Sequence, residues 1–149
     1  MKTQPGQATD VAETMLCIAD RNHILVDHLK LQKLLYFAQA LSLVRHNKRL
    51  FRNRIFAWDH GPVVNMVYDQ YKNHGREYLH CTNETAANSL SEKDIQVIED
   101  TLETFKKYTG IELLKITHQH RPWKDVFKED ENKQITTTKI KEYYKQVLE

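Results

Sequence analysis

The sequence has 149 residues, a length that suits one domain with a single buried core. Its 22 lysines and arginines nearly balance 20 aspartates and glutamates, and the formal net charge of +2 does not indicate nucleic acid as the partner. No apolar run reaches the ~20 residues that a membrane-spanning helix needs, so we expect a soluble protein without a membrane partner.

The two cysteines, Cys17 and Cys81, are far apart in the sequence. The first ten residues are too polar for the apolar region of a secretory signal, which predicts a cytoplasmic protein with both thiols reduced. We expect residues 1–8 to be a flexible tail, and the chain, residues 1–149, to form a single domain.

The first half of the chain predicts two helices. Four glycines and three prolines are few, and apolar residues recur every three or four positions, which indicates a mainly α fold of about six or seven helices. A first helix should begin near Thr9 or Asp10, and a second should run from a cap at Asp27 to about His46. The second helix has two apolar stripes, so it either lies at the centre of the bundle, which we favour, or carries an exposed patch.

The helical period is lost after the second helix. Residues 48–60 predict a short β-hairpin or an extended loop, the single β element that we expect. Pro62 suits the first turn of a helix, because its missing N–H would be unpaired there, and Gly61 supplies a flexible turn before it. We therefore interpret Asp59 and His60 as a loop that directs a helix beginning at Pro62.

The second half predicts further helices. Ser91 has the spacing of a capping residue before a helix that Gly110 should close with a left-handed cap. A short helix follows, Arg121 to Trp123 restarts the chain, and residues 128–134 form a charged connection. Tyr143 and Val147 belong to the apolar face of a last helix.

No residue pattern predicts catalysis, a metal or a cofactor. Asp59 and His60 could form an acid-base pair, but no nucleophile is near them in sequence and the following Gly-Pro already explains a turn. His118 and His120 would point about 200° apart on a helix, which does not suit a shared metal ion. Glycine-rich phosphate loops and nucleophile elbows are absent from the sequence. We expect a protein that is not an enzyme.

Basic residues cluster in the first part of the predicted hairpin or loop: Lys48, Arg49, Arg52 and Arg54. Aromatic residues are interleaved with them, as at some single-stranded nucleic-acid sites. We favour a solvated loop whose aromatic side chains face the core. The patch could also meet an acidic protein.

Four segments in this order resemble a known family: LKLQKLLYFAQAL (29–41), RLF (49–51), IFAWDHGPVVNMVYDQYK (55–72) and LLKITHQHRPW (113–123). Together they resemble the Panacea domain, also called the SocA-like or phage-associated GepA-type antitoxin family. Many members have an aromatic residue directly before Gly-Pro, where this sequence has His60.

The resemblance implies a helical domain that binds and neutralises a toxin protein encoded beside it, without catalytic activity or a cofactor. Two alternatives stay open: an adaptor that presents a bound protein to an ATP-dependent protease, and a nucleic-acid-binding regulator. The oligomeric state is left open. The motif residues either form or support the binding face, or they fill the core and satisfy helix ends. They are Lys30, Gln32, Lys33, Tyr36, Trp58, Gly61, Pro62, Val63, Thr117, His118, Pro122 and Trp123.

Overall fold

The structure, a computed structural model, describes residues 5–147. It is a mainly helical domain with a small antiparallel sheet, as the sequence predicts. The elements in chain order are α1 (Ala8–Arg21), α2 (His28–His46), β1 (Ile55–Trp58), β2 (Gly61–Val63), α3 (Asn65–Tyr71), α4 (Glu92–Phe105), α5 (Gly110–Gln119), α6 (Arg121–Lys124), β3 (Lys133–Ile135) and α7 (Thr137–Val147), with 3₁₀ turns at Lys72–His74 and Glu84–Ser89.

Helix α2 is the centre of the fold. The Asp27 carboxylate accepts a hydrogen bond from the Lys30 amide at 2.8 Å, so the predicted cap is confirmed. Helices α4, α5 and α7 pack around α2, and both of its apolar stripes are covered. The prediction of a central helix is therefore confirmed. Within residues 5–147, no helix combines the length and the apolar character that a bilayer-spanning segment requires.

The three strands form one sheet in the order β2-β1-β3. Strands β1 and β2 are joined by the two residues Asp59 and His60, since Trp58 pairs with Gly61. The prediction of a helix beginning at Pro62 is wrong: Pro62 lies in β2, and α3 begins at Asn65. Because β2 is an edge strand, a proline without an N–H is tolerated there. Strand β3, inside and after the predicted charged connection, was not expected from the sequence.

Gly110 does not close a helix, so this prediction is also wrong. It is the first residue of α5, which has a capping box formed by Thr109 and Glu112. A Cβ atom at Gly110 would lie 2.9 Å from the Lys30 amide nitrogen and 3.1 Å from the Asp27 carboxylate. Glycine is therefore favoured because the start of α5 lies directly against the start of α2. By contrast, the predicted cap at Ser91 is confirmed by reciprocal hydrogen bonds with Asp94.

The N-terminal segment and the cysteines also differ from expectation. Residues 1–4 of the predicted tail lie outside the described residues, while Gly6 pairs with Phe51 and Ala8 is buried. Cys17 and Cys81 form a disulfide with their Cα atoms 4.3 Å apart, so the prediction of reduced thiols is not met. The two cysteines are 64 positions apart, and only the fold brings them together.

Candidate partner-binding site

Most of the motif residues lie around Lys33, in the first half of α2. Its side chain is completely buried, and Nζ donates a hydrogen bond to the Pro62 carbonyl oxygen at 3.0 Å. No ion pair among residues 5–147 involves Lys33. Burial lowers the pKa of Lys33 from 10.5 to about 7, because the charged form loses its hydration. Lys33 thus holds β2 against the bundle from inside.

Gly61 makes this contact possible. Its φ of +94° is unfavourable for residues with a Cβ atom. A Cβ atom there would lie 2.6 Å from Lys33 Cε and 3.0 Å from Thr117 Oγ1. The Thr117 hydroxyl, also buried, donates to the Leu114 carbonyl at 2.8 Å. Gly61, Lys33 and Thr117 therefore form one close-packed joint between β2, α2 and α5.

Gln32 makes a second connection between α2 and the end of the hairpin. Its Oε1 accepts from the Val64 amide at 2.9 Å, and its Nε2 donates to the Val64 carbonyl at 3.4 Å. Gln32 Nε2 is also 3.1 Å from Nε2 of His28. Burial, with a contribution from the Lys33 charge, lowers the pKa of His28 from 6.5 to about 4. His28 is therefore neutral near pH 7.

The aromatic motif residues support the other side of the hairpin. Trp123 Nε1 donates to the Trp58 carbonyl at 2.7 Å, and the His118 ring stacks on Trp123 with centroids 3.9 Å apart. Burial lowers the pKa of His118, while a hydrogen bond with the Asp59 backbone opposes this shift. Trp58 Nε1 donates to Asn132 at 2.8 Å, next to β3. These contacts fix the position of the turn between β1 and β2.

Two motif residues on α2 lie apart from this joint. The Nζ of Lys30 donates to the Lys106 carbonyl at 3.0 Å, which satisfies the end of α4. The Tyr36 ring packs edge-on against Tyr144 of α7, and burial raises the pKa of Tyr36. Nine of the twelve motif residues are buried, whereas Trp58, His118 and Trp123 are partly exposed. Most of the motif therefore builds the scaffold, and only its aromatic edge reaches the surface.

An exposed apolar patch lies beside the hairpin. We call Trp58 and Tyr68 the hairpin patch: Trp58 is partly exposed, Tyr68 is exposed, and the two rings pack edge-on with centroids 5.0 Å apart. Asp59 and His60 are exposed at the adjoining turn. The patch is thus a small aromatic surface at the tip of the segment that the motif residues hold in place.

The aromatic residues interleaved with the basic cluster, Phe51, Phe56 and Trp58, do not all face the core. Arg49, Arg52 and Arg54 are exposed and Phe51 is buried completely, whereas Phe56 and Trp58 lie on the less buried face of β1. The interpretation of a solvated loop with core-facing aromatic side chains therefore holds for Phe51 but not for Phe56 and Trp58.

A second polar attachment was missed by the sequence analysis. Residues 72–90, which we call the strap, lie against one face of α1 formed by Asp10, Glu13, Cys17 and Asp20. The Asp20 carboxylate accepts from the Cys81 amide at 2.7 Å, and Glu13 accepts from the Thr82 hydroxyl at 2.9 Å. The 3-4-3 spacing of these residues on α1 is the signal that could have indicated a shared face. In residues 5–147, no group of His, Cys, Asp or Glu side chains could hold a metal ion.

Comparisons with known proteins agree with the sequence resemblance. Residues 31–124 match the family model described as Antitoxin SocA-like, Panacea domain. The protein named Antitoxin SocA from Caulobacter vibrioides (strain NA1000 / CB15N) is 38% identical over 80 residues, which are 52% of this chain and 43% of that protein. The matched region thus spans less than half of the relative. No solved structure matches the chain.

Proposed function

The chain belongs to the SocA-like antitoxin family of the Panacea domain, and from this membership we propose that it neutralises a toxin protein by binding it directly. The toxin would be encoded next to it, and binding would take place in the cytoplasm. The protein would cover its partner without converting a substrate or needing a cofactor.

The observation that carries this proposal is the way the hairpin is held. Lys33 and Gln32 of α2 hydrogen-bond to β2 and to the residue after it. The Trp123 indole hydrogen-bonds to the Trp58 backbone. A surface that is already ordered loses little conformational entropy when a partner binds. Because exposed aromatic residues commonly dominate binding energy, the hairpin patch suits a protein contact.

Growth rescue tests the proposal. The protein encoded by the adjacent reading frame should arrest growth when it is expressed alone and should be tolerated together with this chain, and the two should copurify. The variant Trp58→Ala should reduce rescue, since it removes one of the two rings of the hairpin patch. Val147→Ala, at an exposed aliphatic residue on α7, is a surface control outside the patch, and the thermal unfolding of both variants shows whether they remain folded. Failure of the unchanged chain to rescue growth would contradict the proposal.

One further variant separates surface from scaffold, and a change of host tests the adaptor alternative. Tyr36→Ala changes a buried residue, so it should lower stability and affect rescue only through folding.

Repeating the rescue in cells without the main ATP-dependent proteases tests the adaptor alternative. An adaptor should lose its protective effect there, whereas a protein that blocks the toxin by binding should keep it.

A further inference from the structure

The less buried side of strand β1 continues into a loop with exposed arginines. Residues of β1 alternate between buried and partly exposed, and Phe56 and Trp58 are the partly exposed ones. Arg54 comes directly before β1 and is exposed, so the two-residue period of a strand places it on the same side as these two rings. Arg49 and Arg52 are also exposed, and we call the three residues the arginine segment. The arginine segment therefore adjoins the hairpin patch.

The backbone that carries the arginine segment is held by buried hydrogen bonds. Gln39 of α2 is buried, and its Oε1 accepts from the amides of Leu50 and Phe51 at 2.7 and 3.2 Å. Its Nε2 donates to the Phe51 carbonyl at 2.9 Å. The Asn53 side chain accepts from the Ala8 amide at 2.7 Å. The arginine side chains thus project from an ordered loop, which lowers the entropy cost of binding a partner.

The positive charge of the arginine segment has no partner nearby in the sequence. No aspartate or glutamate occurs between positions 28 and 58. Among residues 5–147, no ion pair involves Arg49, Arg52 or Arg54. The next carboxylate along the chain, that of Asp59, lies beyond the other end of β1, about 16 Å from Arg54 along the strand.

Carboxylates on the two helices beside this loop bond elsewhere. Asp10, near the start of α1, accepts from the Ser89 hydroxyl at 3.1 Å, and Asp69 of α3 pairs with Lys72 at 3.6 Å. Within residues 5–147, neither forms an ion pair with the arginine segment. Even with Asp10 counted against the three arginines, this surface keeps an excess of positive charge.

A protein partner fits this surface better than a nucleic acid. Aromatic residues and arginine are enriched at protein interfaces, and the surface combines the arginine segment with Phe56, Trp58 and Tyr68. The Trp58 ring packs against Tyr68 and its indole donates to Asn132, which limits stacking of a base on it. Three arginines are also few beside the roughly 6 to 10 phosphate contacts of strong nucleic-acid binding.

We propose that the arginine segment extends the hairpin patch into one docking surface and that the toxin meets it with an acidic surface, an assignment that rests on the proposed function. Carboxylates of the toxin pair with the guanidinium groups of Arg52 and Arg54, and apolar groups of the toxin cover Trp58 and Tyr68. Because guanidinium groups bind carboxylates through two parallel hydrogen bonds, these pairs fix the orientation of the toxin.

Charge reversal tests the assignment in titrations of the full chain against the purified product of the adjacent reading frame. Arg52→Glu and Arg54→Glu should each weaken binding at least on the order of tenfold, because repulsion replaces the ion pairs. Added salt should weaken binding of the unchanged chain more than that of Arg54→Glu. Both residues are exposed, so the thermal unfolding midpoints of the variants should match that of the unchanged chain.

The matched control is Arg76→Glu in the strap. Arg76 is exposed, and no ion pair within residues 5–147 involves it. It lies two residues before Tyr78, which pairs with Asp27 at the start of α2, whereas Gln39 binds the residue before Arg52. Asp27 and Gln39 are about 18 Å apart along the helix axis. The control should bind the toxin within about twofold of the unchanged chain, since salt screens charges at such distances.

The remaining outcomes separate this proposal from the proposed function. If Trp58→Ala weakens toxin binding but Arg52→Glu and Arg54→Glu match Arg76→Glu, the acidic partner surface is wrong and the antitoxin function stands. Absence of toxin binding by the unchanged chain contradicts both. Binding of a fluorescent oligothymidine that Arg54→Glu abolishes, with toxin binding intact, would assign the arginine segment to nucleic acid and overturn the proposal.

Discussion

The hairpin and the strap are both attached to the helical bundle by polar contacts, but the strap also has a covalent link. The hairpin is held from inside the core, by Lys33 and Gln32 of α2. The strap is held on α1 by the Glu13 and Asp20 carboxylates and by a disulfide, and Glu13 and Cys17 are themselves buried. An unpaired buried polar group costs free energy, so the hydrogen bonds of both regions require their partners. The regions differ in that the hairpin is held by noncovalent contacts, whereas the strap also has a covalent bond to α1.

The largest effect on the free energy of unfolding should come from removing the disulfide that holds the strap. Closing a loop across 64 positions restricts the unfolded chain, and its loss should lower the free energy of unfolding by about 4 kcal/mol. Chemical denaturation of Cys81→Ser, and of the unchanged chain with and without a reducing agent, measures this. The variant should be insensitive to reductant, and limited proteolysis should cleave it first within the strap. An unchanged midpoint for the unmodified chain in reductant would contradict the prediction.

In the hairpin, the largest effect should come from Gly61→Ala. The new Cβ atom would meet Lys33 Cε at 2.6 Å, and the buried lysine cannot move without leaving the Pro62 carbonyl. The strain at a φ of +94° adds to this clash. We expect denaturant titrations to give a free energy of unfolding that is lower by about 3 kcal/mol.

The matched control for that variant is Gly75→Ala in the strap. Its φ of +57° is also positive, but a Cβ atom there has no neighbour within 4 Å among residues 5–147. With ψ at −125°, alanine there should lower the free energy of unfolding by about 2 kcal/mol, from backbone strain alone. Equal losses at the two glycines would show that the joint around Lys33 is not tightly packed.

The free energy of unfolding should depend on pH through the titration of Lys33. Its pKa is about 7 in the folded chain and 10.5 when unperturbed, so the unfolded chain binds more protons between these values. The free energy of unfolding should therefore rise from pH 7 towards pH 9, with a Lys33 contribution approaching about 1.4 kcal/mol per pH unit. Lys33→Met, which keeps the volume but removes the charge, should lack this slope. Parallel curves for the two proteins would contradict the prediction.

The smallest effect is expected from Asp20→Asn on α1, which removes a charge that holds the strap. Burial alone would raise the pKa of Asp20, but hydrogen bonds from the Cys81 amide and His80 outweigh it, and the pKa lies below 3.8. The ionised form therefore adds stability above pH 3.8, and this is lost as the pH falls through the folded value. Removing the charge should cost no more than about 1 kcal/mol. Faster amide exchange at Cys81, with unchanged exchange at Val64, would confirm a local role.

Features that depend on neighbouring residues could be predicted from the sequence. The caps at Asp27 and Ser91 involve residues three positions away, and α2 is marked by its own apolar stripes. By contrast, Gly110 and Gly61 are glycines because distant helices approach them, so single-segment rules misplaced both the end of one helix and the start of another. Such close approaches are not encoded in local spacing.

The position of the candidate binding surface likewise depends on contacts between distant segments, which local sequence patterns do not show. The motif residues were recognisable, but the sequence does not show that nine of the twelve are buried. The joining of Cys17 to Cys81 likewise depends on how the strap follows α1.

Both tryptophans of the chain, Trp58 and Trp123, lie at the hairpin, linked by the hydrogen bond between the Trp123 indole and the Trp58 carbonyl. Intrinsic tryptophan emission is therefore a built-in optical reporter of this one region. It should shift to longer wavelength when the hairpin detaches and stay constant while only the strap opens. A single cuvette could thus distinguish the two events in real time without any attached dye.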